Sequence, residues 1–321
     1  MELFISTLEQ MVFLFAFIII GYTVTKLGAV PKSAAGILSK LENNIFIPAL
    51  VMGTFIKNFK VSTFQTAWKL LLFSLVIALI AIPISIFICR CCSKDKYIQN
   101  IYTYGLVFAN FGFMGNAVVN ALFPEYFTDY LIFTLVLWSL IYLWGVPVLL
   151  IPNENGEKRS IKQSLKSFIN PMFVCMIIGM VLGIILSITG TSLPAPVMNV
   201  ITVSGDCMSP VAMLITGITI ASIDLGGILK KTSIYVITFF RLIIYPLVAI
   251  GIFALLRPLN IPSTYVICAI CSLAMPLGLN TIVIPSAYGK DTSTAAGMAL
   301  ISHLAAIATI PFIFMMLEFI I

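Results

Sequence analysis

Apolar runs of roughly 18 residues or more recur along the whole of this 321-residue chain. Each run can cross the hydrocarbon core of a bilayer, about 30 Å thick, as one helix. The ten predicted spans are at about 9–27, 36–56, 67–90, 98–122, 130–151, 170–189, 197–222, 234–256, 264–287 and 294–318. The chain is 60% hydrophobic and 9% charged, with a mean hydropathy of +1.11, which excludes a soluble domain. The sequence therefore predicts an all-α polytopic membrane protein with ten transmembrane helices.

The basic residues are divided so unevenly between the loops that they predict the orientation of the chain. Thirteen of the 18 lysines and arginines lie in loops of one side, and four, Lys57, Lys60, Lys69 and Arg257, lie in loops of the other. By the positive-inside rule the first side is cytoplasmic, so both termini are extracytoplasmic in a multi-pass protein of the plasma membrane. The net charge is +6, but the basic residues lie in short loops and form no patch interleaved with aromatic residues. The lipid bilayer, and no nucleic acid, is therefore the expected partner.

The longest connection, residues 152–169, divides the chain into two halves of five spans each. Residues 1–151 would form the first five-helix unit and residues 170–321 the second, joined by a cytoplasmic linker. Because five is an odd number, the halves enter the membrane from opposite sides, and any repeat between them is inverted. Three similarities at offsets of 162 to 164 residues indicate such a repeat. Spans 2 and 7 have an acidic residue before a proline, spans 3 and 8 contain a proline, and spans 4 and 9 are interrupted.

The interruptions of spans 4 and 9 are stretches of glycine, proline and amide residues. Span 9 contains Ala-Met-Pro-Leu-Gly-Leu-Asn-Thr at 274–281, and span 4 contains Ala-Asn-Phe-Gly-Phe-Met-Gly-Asn at 109–116. In hydrocarbon, a span is broken only where protein, water or ligand satisfies the freed backbone groups. Paired breaks in the two halves point to the binding site of a secondary transporter. The candidate substrate-binding residues are Asn110, Gly112, Gly115, Asn116, Pro276, Gly278, Asn280 and Thr281. The side chains of Asn110 and Asn280 could instead satisfy freed backbone groups, and the glycines permit the breaks in either case.

Four ionisable residues within the spans are candidates for substrate binding and ion coupling. Arg241 lies ten residues beyond Lys231, about 15 Å into the core, so it is expected to add positive charge to the substrate site. Asp206 and His303 lie at similar depth, and with Glu42 they are the candidate ion-coupling residues. Glu42 is only about six residues into its helix, close enough to reach the cytoplasmic interface. A structural ion pair of Arg241 with Asp206, and a neutral hydrogen-bonded His303, remain alternatives.

Several short motifs, in their order and spacing, resemble the auxin efflux carrier family. They are Asn-Phe-Gly-Phe-Met-Gly at 110–115, Ser-Pro-Val-Ala at 209–212 followed by Gly217, Arg-Leu-Ile-Ile-Tyr-Pro at 241–246, Ala-Met-Pro at 274–276, Tyr-Gly-Lys-Asp at 288–291, and Ser302-His303-Leu304 with Pro311. Bacterial members of that family are commonly described as malate or malonate permeases, and this chain is similar to them. The resemblance implies a scaffold of spans 1, 2, 6 and 7, often dimeric, and a moving transport unit in which spans 4 and 9 cross.

The chain departs from the family pattern at two places. Ala117 stands where the family usually has a proline, so the first break would depend on Gly112 and Gly115. Span 3 lacks the acidic residue that plant auxin carriers place there, so their ion-coupling scheme does not carry over. Auxin itself is not the expected substrate.

These observations predict a secondary active transporter that moves a small organic anion, a carboxylate, by alternating access at a midplane helix crossover. Half-helix N-termini at the breaks would offer N–H groups and a positive dipole end to the carboxylate. The expected coupling ion is H⁺, with Na⁺ second, and neither a cofactor nor a bound metal is expected. A sodium or proton antiporter of similar fold, a passive channel and a membrane sensor remain alternatives. An enzyme is not predicted, because span 6 has no second aspartate to share a proton with Asp206 and the chain has no zinc motif.

Overall fold

The structure is a computed structural model that describes residues 2–151, 169–222, 226–227, 229–287 and 290–321. These residues form an all-helical protein without β-strands, with one isolated β-bridge. The helices are α1 (Glu2–Lys26), α2 (34–58), α3 (Val61–Cys92), α4 (Lys96–Val107), α5 (Phe111–Leu122), α6 (Pro124–Leu150), α7 (Pro171–Thr189), α8 (Ala195–Ala221), α9 (Thr232–Leu255), α10 (Ser263–Ala274), α11 (Asn280–Ala287) and α12 (Ser293–Leu317).

Helical segments cover each of the ten predicted ranges, but not all of them are long and apolar enough to cross a membrane. In the described part of the chain, seven helices meet both conditions, namely α1, α3, α6, α7, α8, α9 and α12. Spans 4 and 9 are split into the shorter pieces α4 with α5 and α10 with α11. The ten-span inverted repeat and its domain boundaries therefore stay predictions. Of the predicted linker, residues 152–168 lie outside the described residues, as do Tyr288 and Gly289.

Large apolar side chains cover the outside of the molecule. On α3, Leu79, Ile80 and Phe87 are exposed, and on α7 so are Ile177 and Ile188. Soluble monomers rarely expose contiguous apolar patches larger than a few hundred Å². An outer surface of this kind fits a protein surrounded by lipid chains.

Helices α1, α2, α7 and α8 pack on one another, with α1 against α8 and α2 against both α7 and α8. Glycines make the approach close: a Cβ atom on Gly183 would lie 2.5 Å from the carbonyl oxygen of Phe55 and 2.8 Å from that of Phe59. Small residues of this kind allow membrane helices to approach at the backbone. The other helices pack around α12, α10 and α6, which carry many of the fully buried side chains.

Two helices contain a wide π turn that carries a buried charged residue. Glu42 lies in the π turn Glu42–Phe46 of α2, and Arg241 lies in the π turn Phe240–Ile244 of α9. Each turn directly precedes a proline-containing turn, at Pro48 and at Pro246. Proline lacks an N–H and clashes with the carbonyl of the preceding turn, so a wider turn accommodates it.

The close packing of α7 on α2 can be tested with Gly183→Ala. We expect this variant to lower the free energy of unfolding by about 1–3 kcal/mol, because the carbonyl groups that face the new Cβ are backbone and cannot rotate away. The measurement is thermal unfolding of the purified protein in detergent. Gly251→Ala is the matched control, since its Cβ atom meets nothing within 4 Å. Equal midpoints for the two variants would contradict the packing described here.

Candidate functional site

The two interruptions of the chain lie against each other in the interior. α4 ends at Val107 and α10 ends at Ala274, and the residues that follow form an antiparallel bridge between Ala109 and Leu277. The N–H of Asn110 donates to the carbonyl of Pro276 at 2.7 Å. Each break therefore satisfies backbone groups that the other has freed, as a membrane interior requires.

Glycines permit these contacts at different places. A Cβ atom on Gly278 would lie 2.7 Å from the carbonyl oxygen of Phe108, so this position brings the two backbones together. Gly112 and Gly115 lie after the first break, in the π turn Phe111–Gly115, and not in the break itself. A Cβ atom on either would meet an aromatic ring of α6. The first break thus falls earlier than these glycines, at residues 108–110, where pairing with the second break stabilises it.

Arg241 connects the ends of both interrupted helices. Its Nη1 donates to the carbonyl of Leu106 at 2.8 Å, its Nη2 to that of Ser272 at 2.7 Å, and its Nε to that of Met275 at 3.1 Å. The side chain is 1% exposed. Leu106 and Ser272 belong to the last turns of α4 and α10, whose carbonyls lack helical partners and carry the negative end of the helix dipole. One guanidinium group therefore compensates two helix C-termini.

α12 is bonded to both breaks through two consecutive residues. The Ser302 hydroxyl accepts a hydrogen bond from the N–H of Leu277 at 3.3 Å. The His303 Nδ1 lies 2.7 Å from the carbonyl oxygen of Ala299, and its Nε2 lies 3.0 Å from Nδ2 of Asn110. A carbonyl oxygen only accepts, so Nδ1 carries the proton and Nε2 accepts from the Asn110 amide. The geometry fits a neutral imidazole that positions the first break.

Asn280, Thr281 and Asn116 complete the set predicted at the breaks. The Asn280 amide donates to the Tyr104 hydroxyl at 3.2 Å, and the Thr281 hydroxyl donates to the carbonyl of Gly278 at 2.8 Å. The N–H of Thr281 also donates to that carbonyl, so it is not free for a ligand. Asn116 is buried, and its Oδ1, like that of Asn110, has no hydrogen-bond partner in the described ranges.

The predicted ion-coupling residues lie in very different surroundings. Asp206 is exposed on the first half of α8, which packs on α2, and the described hydrogen bonds of Arg241 all go to carbonyls. The structure therefore does not bring Asp206 and Arg241 together as an ion pair. Glu42 is fully buried, so the expectation that it reaches the cytoplasmic interface is wrong. Helix packing over this part of α2 encloses the side chain, which depth along the helix alone does not reveal.

A cavity of about 220 Å³ lies between α2, α6, α7 and α11. The residues that line it are Asn43, Asn44, Ile47, Trp138, Ile141, Tyr142, Asn170, Pro171, Met172, Asn280 and Ile284. No charged side chain is among them, and Asn280 is the predicted site residue that lines it. The side chain of Asn170 caps α7 by accepting from the N–H of Phe173 at 3.1 Å. The cavity thus combines four amide side chains with a helix N-terminus, a combination suited to a carboxylate.

Aromatic rings connect the first break with this cavity. Phe111 packs edge-on against Trp138 with 5.2 Å between ring centroids, and Trp138 stacks on Tyr142 at 6.2 Å. Tyr142 in turn contacts Phe173 at 6.1 Å. Sequence reasoning missed these residues and the amides of α2 and α7. Two sequence signals could have indicated the amides: the adjacent Asn43 and Asn44 within an apolar span, and Asn170 before a proline that begins a helix.

The role of Arg241 in holding the breaks can be tested with Arg241→Lys. Lysine presents one ammonium group and no planar fork, so at least one buried carbonyl loses its partner, at a cost of about 1–3 kcal/mol. We expect a lower midpoint of thermal unfolding in detergent. Arg257→Lys is the matched control, because Arg257 is exposed at the end of α9. A midpoint for Arg241→Lys equal to that of the control would contradict this role.

Comparison with known proteins agrees with this architecture. A family model described as Membrane transport protein, that of the auxin efflux carrier family, matches residues 6–314, a range that includes both breaks and the whole of α12 apart from its last turn. No curated protein sequence matches the chain. A family match over this length identifies a multi-pass membrane transporter. The chain belongs to the membrane transport protein family of auxin efflux carriers.

Proposed function

We propose that this protein is a secondary active transporter that moves a small organic anion across the plasma membrane by alternating access. The observation that carries the proposal is the pairing of the two chain breaks at Asn110 and Pro276, next to a cavity lined by amides. Broken, paired membrane helices are the form in which secondary transporters build midplane sites. A carboxylate of the malate or malonate type is the proposed substrate.

The proposed architecture is ten transmembrane helices in two inverted five-helix repeats. Helix irregularities at corresponding positions support it: α2 widens into a π turn before Pro48, and α8 is interrupted at Cys207 before Pro210. The mutual packing of α1, α2, α7 and α8 supports their assignment as the scaffold. The remaining helices would form the transport unit, with the spans made of α4 with α5 and of α10 with α11 crossing at the breaks. A homodimer would form through the scaffold.

The substrate would occupy the cavity next to Asn280. The amides of Asn43, Asn44 and Asn280 each donate one N–H to a protein group, and the second N–H of each would be a donor for a carboxylate in a site without a fixed charge. At the start of α7, where Pro171 has no N–H and that of Phe173 is capped, the N–H of Met172 would be a further donor. The volume of about 220 Å³ far exceeds the roughly 10–15 Å³ that one water molecule needs. Arg241 does not line this cavity, and its proposed contribution is to fix the crossover that places Asn280. The other residues predicted at the breaks would support the site in the same way.

Alternating access would follow from where the cavity lies. Its walls come from the scaffold helices α2 and α7 on one side and from α6 and α11 of the transport unit on the other. A shift of one unit along the other would therefore move the site across the membrane. The cavity adjoins the start of α7, next to the linker that the charge distribution places in the cytoplasm. With both termini extracytoplasmic, this conformation would be inward-facing.

The cavity also favours an anion carrier over a cation antiporter. An antiporter of this kind needs an acidic group in its ion site, and the residues that line the cavity have none. Anion uptake against a negative interior requires a co-transported cation, for which we propose H⁺ first and Na⁺ second. Asp206, His303 and Glu42 are the residues that we propose as candidates to carry it. A passive channel would let malonate equilibrate without accumulating it, and a sensor would bind malonate without transporting it.

The proposed function is tested by Asn280→Asp in proteoliposomes. The substitution keeps the size of the side chain and places a negative charge at the cavity, so we expect uptake and binding of radiolabelled malonate to be lost. Asn260→Asp, in the exposed turn after α9, is the matched control and should transport like the wild type. Both variants should stay monodisperse in detergent. Undiminished uptake by Asn280→Asp would overturn the assignment of the cavity, and equilibration without accumulation by the wild type would favour a passive pathway.

A further inference from the structure

We propose that Glu42 carries the coupling proton, and that its carboxyl group is protonated and enclosed in this conformation. The inference deepens the proposed function and rests on it for the direction of transport. The sequence left Asp206, His303 and Glu42 as candidate ion-coupling residues and H⁺ and Na⁺ as candidate ions. The proposal assigns the role to Glu42 and to H⁺.

The surroundings of Glu42 are enclosed and carry no other charged side chain. The side chain is 0% exposed and lies in the π turn of α2. A void of about 10 Å³ adjoins it, about the space of one water molecule. The other residues that line this void are Ser39, Asn43, Phe113, Ala212, Ile215 and Leu279. Three parts of the fold thus meet at Glu42. They are α2 itself, α8, and the chain at the two breaks, represented by Phe113 after the first break and Leu279 at the end of the second.

No group in these surroundings compensates a negative charge on Glu42. Neither carboxyl oxygen has a hydrogen-bond partner among the described residues, and no residue that lines the void is charged. On the elements that pack against this π turn, the titratable groups are Lys40, Lys57, Cys175, Asp206 and Cys207, and none of them lines the void. α5 and α11 contain no titratable residue. A buried, unpaired carboxylate is strongly disfavoured, so the neutral, protonated form is the one that fits.

A sodium ion fits this void less well than a proton. Hard cations take about six oxygen ligands, and the lining offers few side-chain oxygens beyond those of Glu42 itself. Its two other polar residues, Ser39 and Asn43, add one hydroxyl and one amide oxygen, so the side chains supply four oxygens at most. A proton needs only the carboxyl group.

The position of Glu42 couples the proton to the substrate and to movement. Asn43 lines both the void at Glu42 and the substrate cavity, so the two sites share a side chain. Phe113 follows the first break and Leu279 ends the second, and together they close the void from the transport unit. When that unit moves to its outward-facing position, both residues leave Glu42, which then meets water from outside and takes up its proton. On return the void closes over the protonated carboxyl group, and the proton leaves to the cytoplasm through the substrate cavity, whose wall Asn43 shares, once malonate has left. Asp206 and His303 are not enclosed, unpaired groups between the two units, because Asp206 is exposed and His303 is hydrogen-bonded to Asn110.

The protonation state is tested without a substrate by infrared spectroscopy of the purified protein at neutral pH. We expect a C=O stretch of a protonated carboxyl group that is present in the wild type and absent in Glu42→Gln. Glu9→Gln, which changes an exposed acid on α1, is the matched control and should keep the band. A band that is equally present in Glu42→Gln, or missing in the wild type, would overturn the proposal. A band that disappears when sodium is added would assign the site to sodium instead.

Coupling is tested in proteoliposomes with radiolabelled malonate. Glutamine mimics the protonated carboxyl group, so Glu42→Gln should lose accumulation driven by an inward proton gradient and keep malonate exchange at equal pH on both sides. Glu9→Gln should retain both activities. Accumulation that persists in Glu42→Gln, or loss of exchange in a variant that unfolds at the wild-type temperature, would contradict the coupling role. If the wild type does not transport malonate at all, the proposed function fails while the infrared result still decides the state of Glu42.

Discussion

The structure depends on the three hydrogen bonds from Arg241 to the carbonyls of Leu106, Ser272 and Met275. Interrupting two helices inside a membrane leaves carbonyl groups that lipid cannot satisfy, and each unsatisfied group is costly. One planar guanidinium group, with its donors in a fixed fork, reaches the ends of both helices at once. The buried charge and the two helix C-termini compensate each other, so neither the arginine nor the breaks would be stable alone.

The remaining contacts at the breaks add to this arrangement. Ser302 and His303 bind one break each from the same turn of α12, and the bridge between Ala109 and Leu277 joins the breaks directly. The two breaks are therefore held together as one unit. Rigid pairing of this kind would suit the proposed carrier, because Asn280 and the other cavity residues of α6 and α11 could move together while those of α2 and α7 stay with the scaffold. Glu42, on the neighbouring scaffold helix, would sense that movement.

Much of this arrangement could be predicted from the sequence, and the reasons are physical. Proline and glycine at residues 276 and 278 predicted where span 9 is interrupted, and the depth of Arg241 placed it near both breaks. Its partners could not be predicted, because backbone carbonyls leave no mark in a sequence. Asp206 was expected at the same depth, but the direction in which it faces depends on how α8 is rotated and packed. The burial of Glu42 likewise depends on helices distant in sequence.

The cavity that we propose for the substrate was the feature least accessible from the sequence. Its walls come from four helices that are far apart along the chain, and most of its lining is made of residues with ordinary roles in membrane helices. The most direct test of the account is a cryo-electron microscopy structure with saturating malonate. The account predicts density between α2, α6, α7 and α11 in contact with Asn280, with the hydrogen bond from Asn110 to Pro276 retained. Malonate bound to Arg241 in place of the carbonyls of Ser272 and Met275 would contradict it.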